Sequence, residues 1–146
     1  MNIAGRELKL RKPTELRIEA FSDSDFATNK DNRRSTSGNL VTIGGALVSW
    51  RSKSQQTVAL SSTEAEYVAL SSVATEVQYI RMILEEMVGR IPMSRIHKDN
   101  TGAIFMVKNS QIGDRTKHID TRHHYVKQQV EKGLVEVVYI NTLDNQ

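Results

Sequence analysis

The sequence predicts an α/β domain, a mixed β-sheet with helices on its faces. Three observations carry that reading. β-rich runs fill the chain up to residue 61, the apolar period then switches to that of one long helix, and two further β runs follow with helical spacing between them. The order reads β-β-β-α-β-α-α-β. Three strands before the helix pair as antiparallel neighbours, and a crossover through the helix returns the chain to a parallel strand. At 146 residues, 38% hydrophobic and 25% charged, the chain is one domain with a core of its own.

Residues 1–14 are charged and irregular, with Pro13 near their end, and read as a connector from something upstream. The domain proper is expected over residues 15–146. Leu16 to Asp23 alternates as a strand does. Ser24 to Ser37 is polar and basic, a loop. Gly38 to Ile43 and Ala46 to Arg51 are β runs separated by Gly44-Gly45, which signals a hairpin. Val58 to Ser61 is read as extending the second of these runs. From Ser62 onward Ala65, Ala69, Val73, Val77, Ile80, Leu84 and Val88 recur at helical spacing, and Gly89 and Pro92 end the helix. Met93 to Lys98 is a short strand closed by Asp99. Asn100 to Val107 reads as a helix, 108–115 as a loop, His118 to Lys132 as a helix stopped by Gly133, and Leu134 to Ile140 as a strand.

Composition excludes several functions. The chain has no cysteine, so disulfide frameworks and thiolate metal sites are ruled out. No apolar run approaches the roughly 18 residues that a membrane span needs, and the first residues lack the apolar core of a signal peptide. An intracellular protein, cytoplasmic or nuclear, is expected. Twenty Lys and Arg against 17 Asp and Glu give a net charge of +3. That excess permits a nucleic-acid partner without demanding one. The basic residues concentrate in the first third of the chain.

Three acids stand where sheet proteins place chemistry. Asp23 ends the first strand and Asp99 the fourth, and ligands of open α/β sheets collect at the carboxyl ends of strands. The plainer alternative for each aspartate is a turn or a helix cap. Glu66 is more telling. At about 100° per residue, Leu84 lies about 0° from it and Val73 and Val77 within about 20°, so Glu66 projects from the middle of the apolar stripe. Glu64 lies about 160° away, on the far face. A carboxylate on that stripe is costly unless satisfied. Its structural alternative is a capping box running from Thr63 to Glu66. If Glu66 instead faces the sheet, three carboxylates converge on one edge, a donor set for a hard cation such as Mg²⁺ or Mn²⁺.

Five blocks of sequence carry a resemblance: Phe21-Ser-Asp-Ser-Asp-Phe-Ala27, Arg34-Ser-Thr-Ser-Gly38, Ser49-Trp-Arg-Ser-Lys53, Val58-Ala-Leu-Ser-Ser-Thr-Glu-Ala-Glu-Tyr-Val-Ala69 and Thr116-Lys-His-Ile-Asp-Thr-Arg-His-His124. In that order, over residues 15–146, the chain resembles the ribonuclease H domain of copia-type LTR retrotransposon polyproteins. The resemblance implies an RNase H-like mixed five-stranded sheet and a reverse transcriptase upstream in the parent polyprotein. It also implies cleavage of the RNA strand of an RNA–DNA hybrid assisted by Mg²⁺, or Mn²⁺, with two ions in the intact domain. Asp23 matches the family's first-strand aspartate, with Asp25 as a rival. Glu66, followed by Tyr67-Val68-Ala69, matches the helix glutamate, and Asp99 matches the third acid. The family's fourth aspartate stands in an Ala-Asp pair on a final helix. Asp144 precedes that position and is not its equivalent, so the last helix is expected to be missing and activity impaired by the truncation.

Lys108, Arg115, Lys117, His118, Arg122, His123, His124 and Lys127 form a second basic cluster. Lys117, His118 and Arg122, with Arg33 and Arg34 in the first loop, are the candidate phosphate contacts; a solvated surface is the alternative. The histidine spacings do not fit a zinc site. Trp50 and Tyr79 are expected in the core rather than as platforms for bases. Two further functional readings compete with the nuclease: a non-catalytic nucleic-acid-binding retroelement remnant, and a fragment that needs the upstream polymerase to fold.

Overall fold

The computed structural model describes residues 16–99, 104 and 125–141. Its sheet has five strands: β1 (Ile18–Asp25), β2 (Thr36–Ile43), β3 (Ala46–Ser54), β4 (Ser94–Lys98) and β5 (Val135–Tyr139). Their spatial order is β3-β2-β1-β4-β5. The first three form an antiparallel meander, whereas β4 joins β1 in parallel and β5 joins β4 in parallel. One long helix, α1 (Ser62–Val88), makes the crossover between β3 and β4. The predicted mixed five-stranded sheet is therefore present. The connector proposed for residues 1–14 lies outside the described residues. So do nearly all of the Asn100–Val107 helix, of which Ile104 is helical, and the first part of the His118–Lys132 helix, which is helical over 125–131.

Alternation decides which face α1 covers. Ile18, Ala20 and Ser22 of β1, Val41 and Asn39 of β2, and Ser94, Ile96 and Lys98 of β4 are buried at every second position. Against them α1 sets Tyr67, Leu70, Val73, Ala74 and Val77, and Val126 and Val135 complete the core. The opposite face carries polar and stacked pairs. Phe21 lies on His97 with ring centroids 4.6 Å apart, and Arg95 bonds Glu136.

Turn and cap chemistry fix the boundaries. Gly44 and Gly45 both take positive φ, 57° and 86°, the backbone that a two-residue hairpin requires. Ser61 caps α1: its hydroxyl accepts the Glu64 N–H at 3.1 Å, while the Glu64 carboxylate accepts the Leu60 N–H at 2.8 Å. At the other end Gly89, φ 84°, closes the last turn with its N–H on the Glu85 carbonyl at 2.9 Å.

Two expectations are corrected. Val58 to Ser61 does not extend β3. The strand ends at Ser54, and Gln55 then turns off the sheet, its N–H held by the Ser35 carbonyl at 2.8 Å and its side chain donating to Ser37 Oγ and the Ala65 carbonyl. Trp50 and Tyr79 are not core residues, being 73% and 66% exposed. Trp50 sits on the edge strand, paired with Leu40 on the face away from α1. Tyr79 lies about 220° around the helix from Glu66, on its outer side. The strands also run further than apolar alternation suggested, β1 to Asp25 and β2 from Thr36.

Candidate metal centre

Parallel pairing of β1 with β4 sets Ser22 opposite Lys98. Asp23 and Asp99, each one residue further on, therefore lie side by side at the same end of the sheet. Glu66, in the second turn of α1, comes down on that end. One carboxylate oxygen from each of Asp23, Glu66 and Asp99 lies within 4.8 Å of the others. Asp25, two residues further along β1 and opposite Thr36, is exposed and not part of the group.

The capping question resolves in the same place. Ser61 and Glu64 form the reciprocal cap, so the Thr63–Glu66 box is not used and Glu66 is available to the sheet. It is 8% exposed. Burial pushes its carboxyl above the usual value of 4.5; the Lys98 ammonium, by hydrogen bond and by charge, pulls the other way, the Asp23 charge raises it further, and a Ser24 hydrogen bond lowers it. Asp23 itself accepts the Ser24 N–H at 2.8 Å.

Lys98 was not a candidate from sequence. Its side chain is fully buried, and its ammonium donates to the Ser22 carbonyl at 3.1 Å and reaches Ser22 Oγ at 3.4 Å. It also forms an ion pair with Glu66. The signal was present: Ser94, Ile96 and Lys98 share a parity, so Lys98 faces α1 with the apolar Ile96.

The donor set fits a hard divalent cation. It consists of oxygens alone, brought from three separate elements, and the proximity of Glu66 to Asp23 is one of the causes that keep the Glu66 carboxyl raised, a repulsion that a cation relieves. Arg33 and Arg34 lie exposed in the loop that joins β1 to β2, at the carboxylate end of β1. The loop is tied by Asn29, whose carbonyl accepts the Arg33 N–H at 2.8 Å, and Arg33 takes a left-handed φ of 59°. Lys117, His118 and Arg122 lie outside the described residues.

No family model matches the chain. It is 38% identical over 128 residues, 88% of its length, to the retrovirus-related Pol polyprotein from transposon TNT 1-94 of Nicotiana tabacum. It is also 38% identical over 136 residues to the corresponding polyprotein from transposon RE1 of Arabidopsis thaliana, 92% of its length. The chain spans 10% and 9% of those two polyproteins. Among solved structures it is similar to RNase H1 from the archaeon Halobacterium salinarum, with TM-score 0.61, 11% identity and 88% and 89% of the two chains covered. LC11-RNase H1 in complex with an RNA/DNA hybrid gives TM-score 0.61 and 14% identity, with 88% of each chain covered. The prototype foamy virus protease-reverse transcriptase matches with TM-score 0.61 and 10% identity, over 88% of this chain and 18% of the viral one. At these identities the structural likeness is one of fold.

Proposed function

The chain belongs to the copia-type retrotransposon Pol polyproteins, as a segment with the RNase H-like fold, and on that premise we propose that it is an RNase H-type endonuclease acting on the RNA strand of RNA–DNA hybrids. The observation that carries the reading is the meeting of Asp23, Glu66 and Asp99 within 4.8 Å at one end of the sheet. In this reading those three hold divalent metal, Mg²⁺ or Mn²⁺. Two such ions, when bound, supply an activated water and charge stabilisation for the leaving 3′ oxygen. The protein's part is to fix the oxygens. Asp23 and Asp99 are held by adjacent parallel strands, and Glu66 by a helix capped one turn earlier. Arg33 and Arg34, with Lys117, His118 and Arg122, contact the phosphates of the hybrid, and the 2′-hydroxyl distinguishes the strand to be cut. A reverse transcriptase region of the same polyprotein is the partner this reading implies.

The competing reading is a non-catalytic hybrid-binding remnant. Cleavage of a labelled hybrid in Mg²⁺ separates the two. RNA-strand cutting that disappears in Glu66→Gln and with EDTA is expected. Hybrid binding with no cutting would leave the remnant.

A further inference from the structure

Lys98 is a lysine in a place where packing asks for none. Its side chain is fully buried, and it lies on the α1 face of a central strand beside Ile96. A buried ammonium is costly unless its charge and its hydrogens are satisfied. Its partners among the described residues are the Ser22 carbonyl at 3.1 Å, Ser22 Oγ at 3.4 Å and the Glu66 carboxylate. Glu66 is in turn one of the three acids that converge at the sheet end. The carboxylate cluster thus carries a cation of its own, built into β4 next to Asp99.

We propose that Lys98 is a positioning residue that holds Glu66 in place when the cluster lacks a divalent ion and limits how tightly the cluster takes one. The inference rests on the reading of Asp23, Glu66 and Asp99 as a divalent-metal site. Two consequences follow from charge alone. With its ammonium on Glu66, the cluster of three carboxylates has a net charge of −2 rather than −3, so it repels itself less while empty. A divalent ion entering the cluster meets a fixed like charge and a carboxylate already engaged, which reduces its affinity. A methionine of similar length would fill the same space, so the charge and not the volume is what distinguishes lysine here.

The test is Mn²⁺ binding without nucleic acid, measured by electron paramagnetic resonance or calorimetry on the 146-residue chain and on Lys98→Gln and Lys98→Met. Glutamine keeps a donor for Ser22 and Glu66 and covers the case in which the methionine variant does not fold. Both neutral variants should bind Mn²⁺ about tenfold more tightly or better. Their melting temperatures should fall without metal, and saturating Mn²⁺ should raise them by more than it raises that of the unmutated chain, a difference that a purely structural lysine would not produce. Unchanged or weaker Mn²⁺ affinity in Lys98→Gln overturns the proposal. Asp23→Asn, with Lys98 intact, separates the two levels. If it weakens Mn²⁺ binding while Lys98→Gln leaves affinity unchanged, the Lys98 inference alone fails. If Asp23→Asn leaves binding unaltered, the metal-site reading fails and this inference falls with it.

Discussion

Arg81 offers the sharpest test of how the scaffold holds the site. It lies on the buried side of α1, 5% exposed, and its guanidinium joins three segments. Nη1 donates to the Pro92 carbonyl at 2.8 Å, Ser94 Oγ at 3.1 Å and the Leu134 carbonyl at 3.2 Å; Nη2 donates to the Ile91 carbonyl at 3.3 Å. Its Nε pairs with the half-exposed Glu85 at 3.0 Å. The fork therefore fixes the last turns of α1 to the residues leading into β4 and β5. In Arg81→Met the volume is largely kept and the donors are lost. The Leu134 carbonyl retains the Ser94 N–H at 3.0 Å, so three acceptors lose their partner. Each orphaned acceptor costs about 1–3 kcal/mol, part of it recovered where water can reach, and the ion pair with the half-exposed Glu85 adds little. The expected loss is about 3–5 kcal/mol, in the range for breaking a buried charged network and a large share of the roughly 5–15 kcal/mol that holds a domain together. With a urea slope near 2 kcal/mol/M, the unfolding midpoint in EDTA should fall by about 1.5–2.5 M. A loss below about 1 kcal/mol, with the slope unchanged, would refute the assignment of Arg81 as the clamp.

Ser61→Ala should lower stability by about 1 kcal/mol through the lost cap, whereas Glu64→Gln keeps an acceptor for the Leu60 N–H and should cost little; both should leave Mn²⁺ affinity unaltered, and a loss of metal binding in Glu64→Gln would mean that the wrong glutamate has been assigned. Because burial raises the Glu66 carboxyl, the native state binds more protons than the unfolded chain just above pH 4.5. Metal-free stability should then fall as pH rises through that window, and Glu66→Gln should flatten the slope in urea melts at stepped pH; a slope identical in the two proteins would contradict the raised value. Binding to an RNA–DNA hybrid should weaken steeply as salt rises, since phosphate contacts release counterions; a titration series showing no salt dependence would remove the basic residues from the interface.

Much of the scaffold was legible in the sequence, for reasons that also mark where it was not. The helix from Ser62 to Val88 could be read because its apolar stripe is long and Gly89 ends it. Glu66 stood out because a carboxylate on that stripe breaks the pattern. Strand ends were read short because β1 and β2 continue pairing through polar residues, Ser24↔Ser37 and Asp25↔Thr36, where backbone bonds rather than side-chain burial sustain the ladder. Trp50 and Tyr79 were expected in the core, but strand parity and helix angle put both outside. Lys98 escaped notice for the opposite reason, since a lysine reads as surface even at a parity shared with Ile96. The basic cluster at Lys117, His118 and Arg122 lies outside the described residues.

The most direct measurement is anomalous diffraction from crystals soaked in Mn²⁺. The account predicts a strong peak bounded by the carboxylates of Asp23, Glu66 and Asp99, absent in crystals of Glu66→Gln soaked at the same concentration. Ordered Mn²⁺ elsewhere on the molecule with none among these three side chains, or a peak there that persists at equal height in Glu66→Gln, would contradict it.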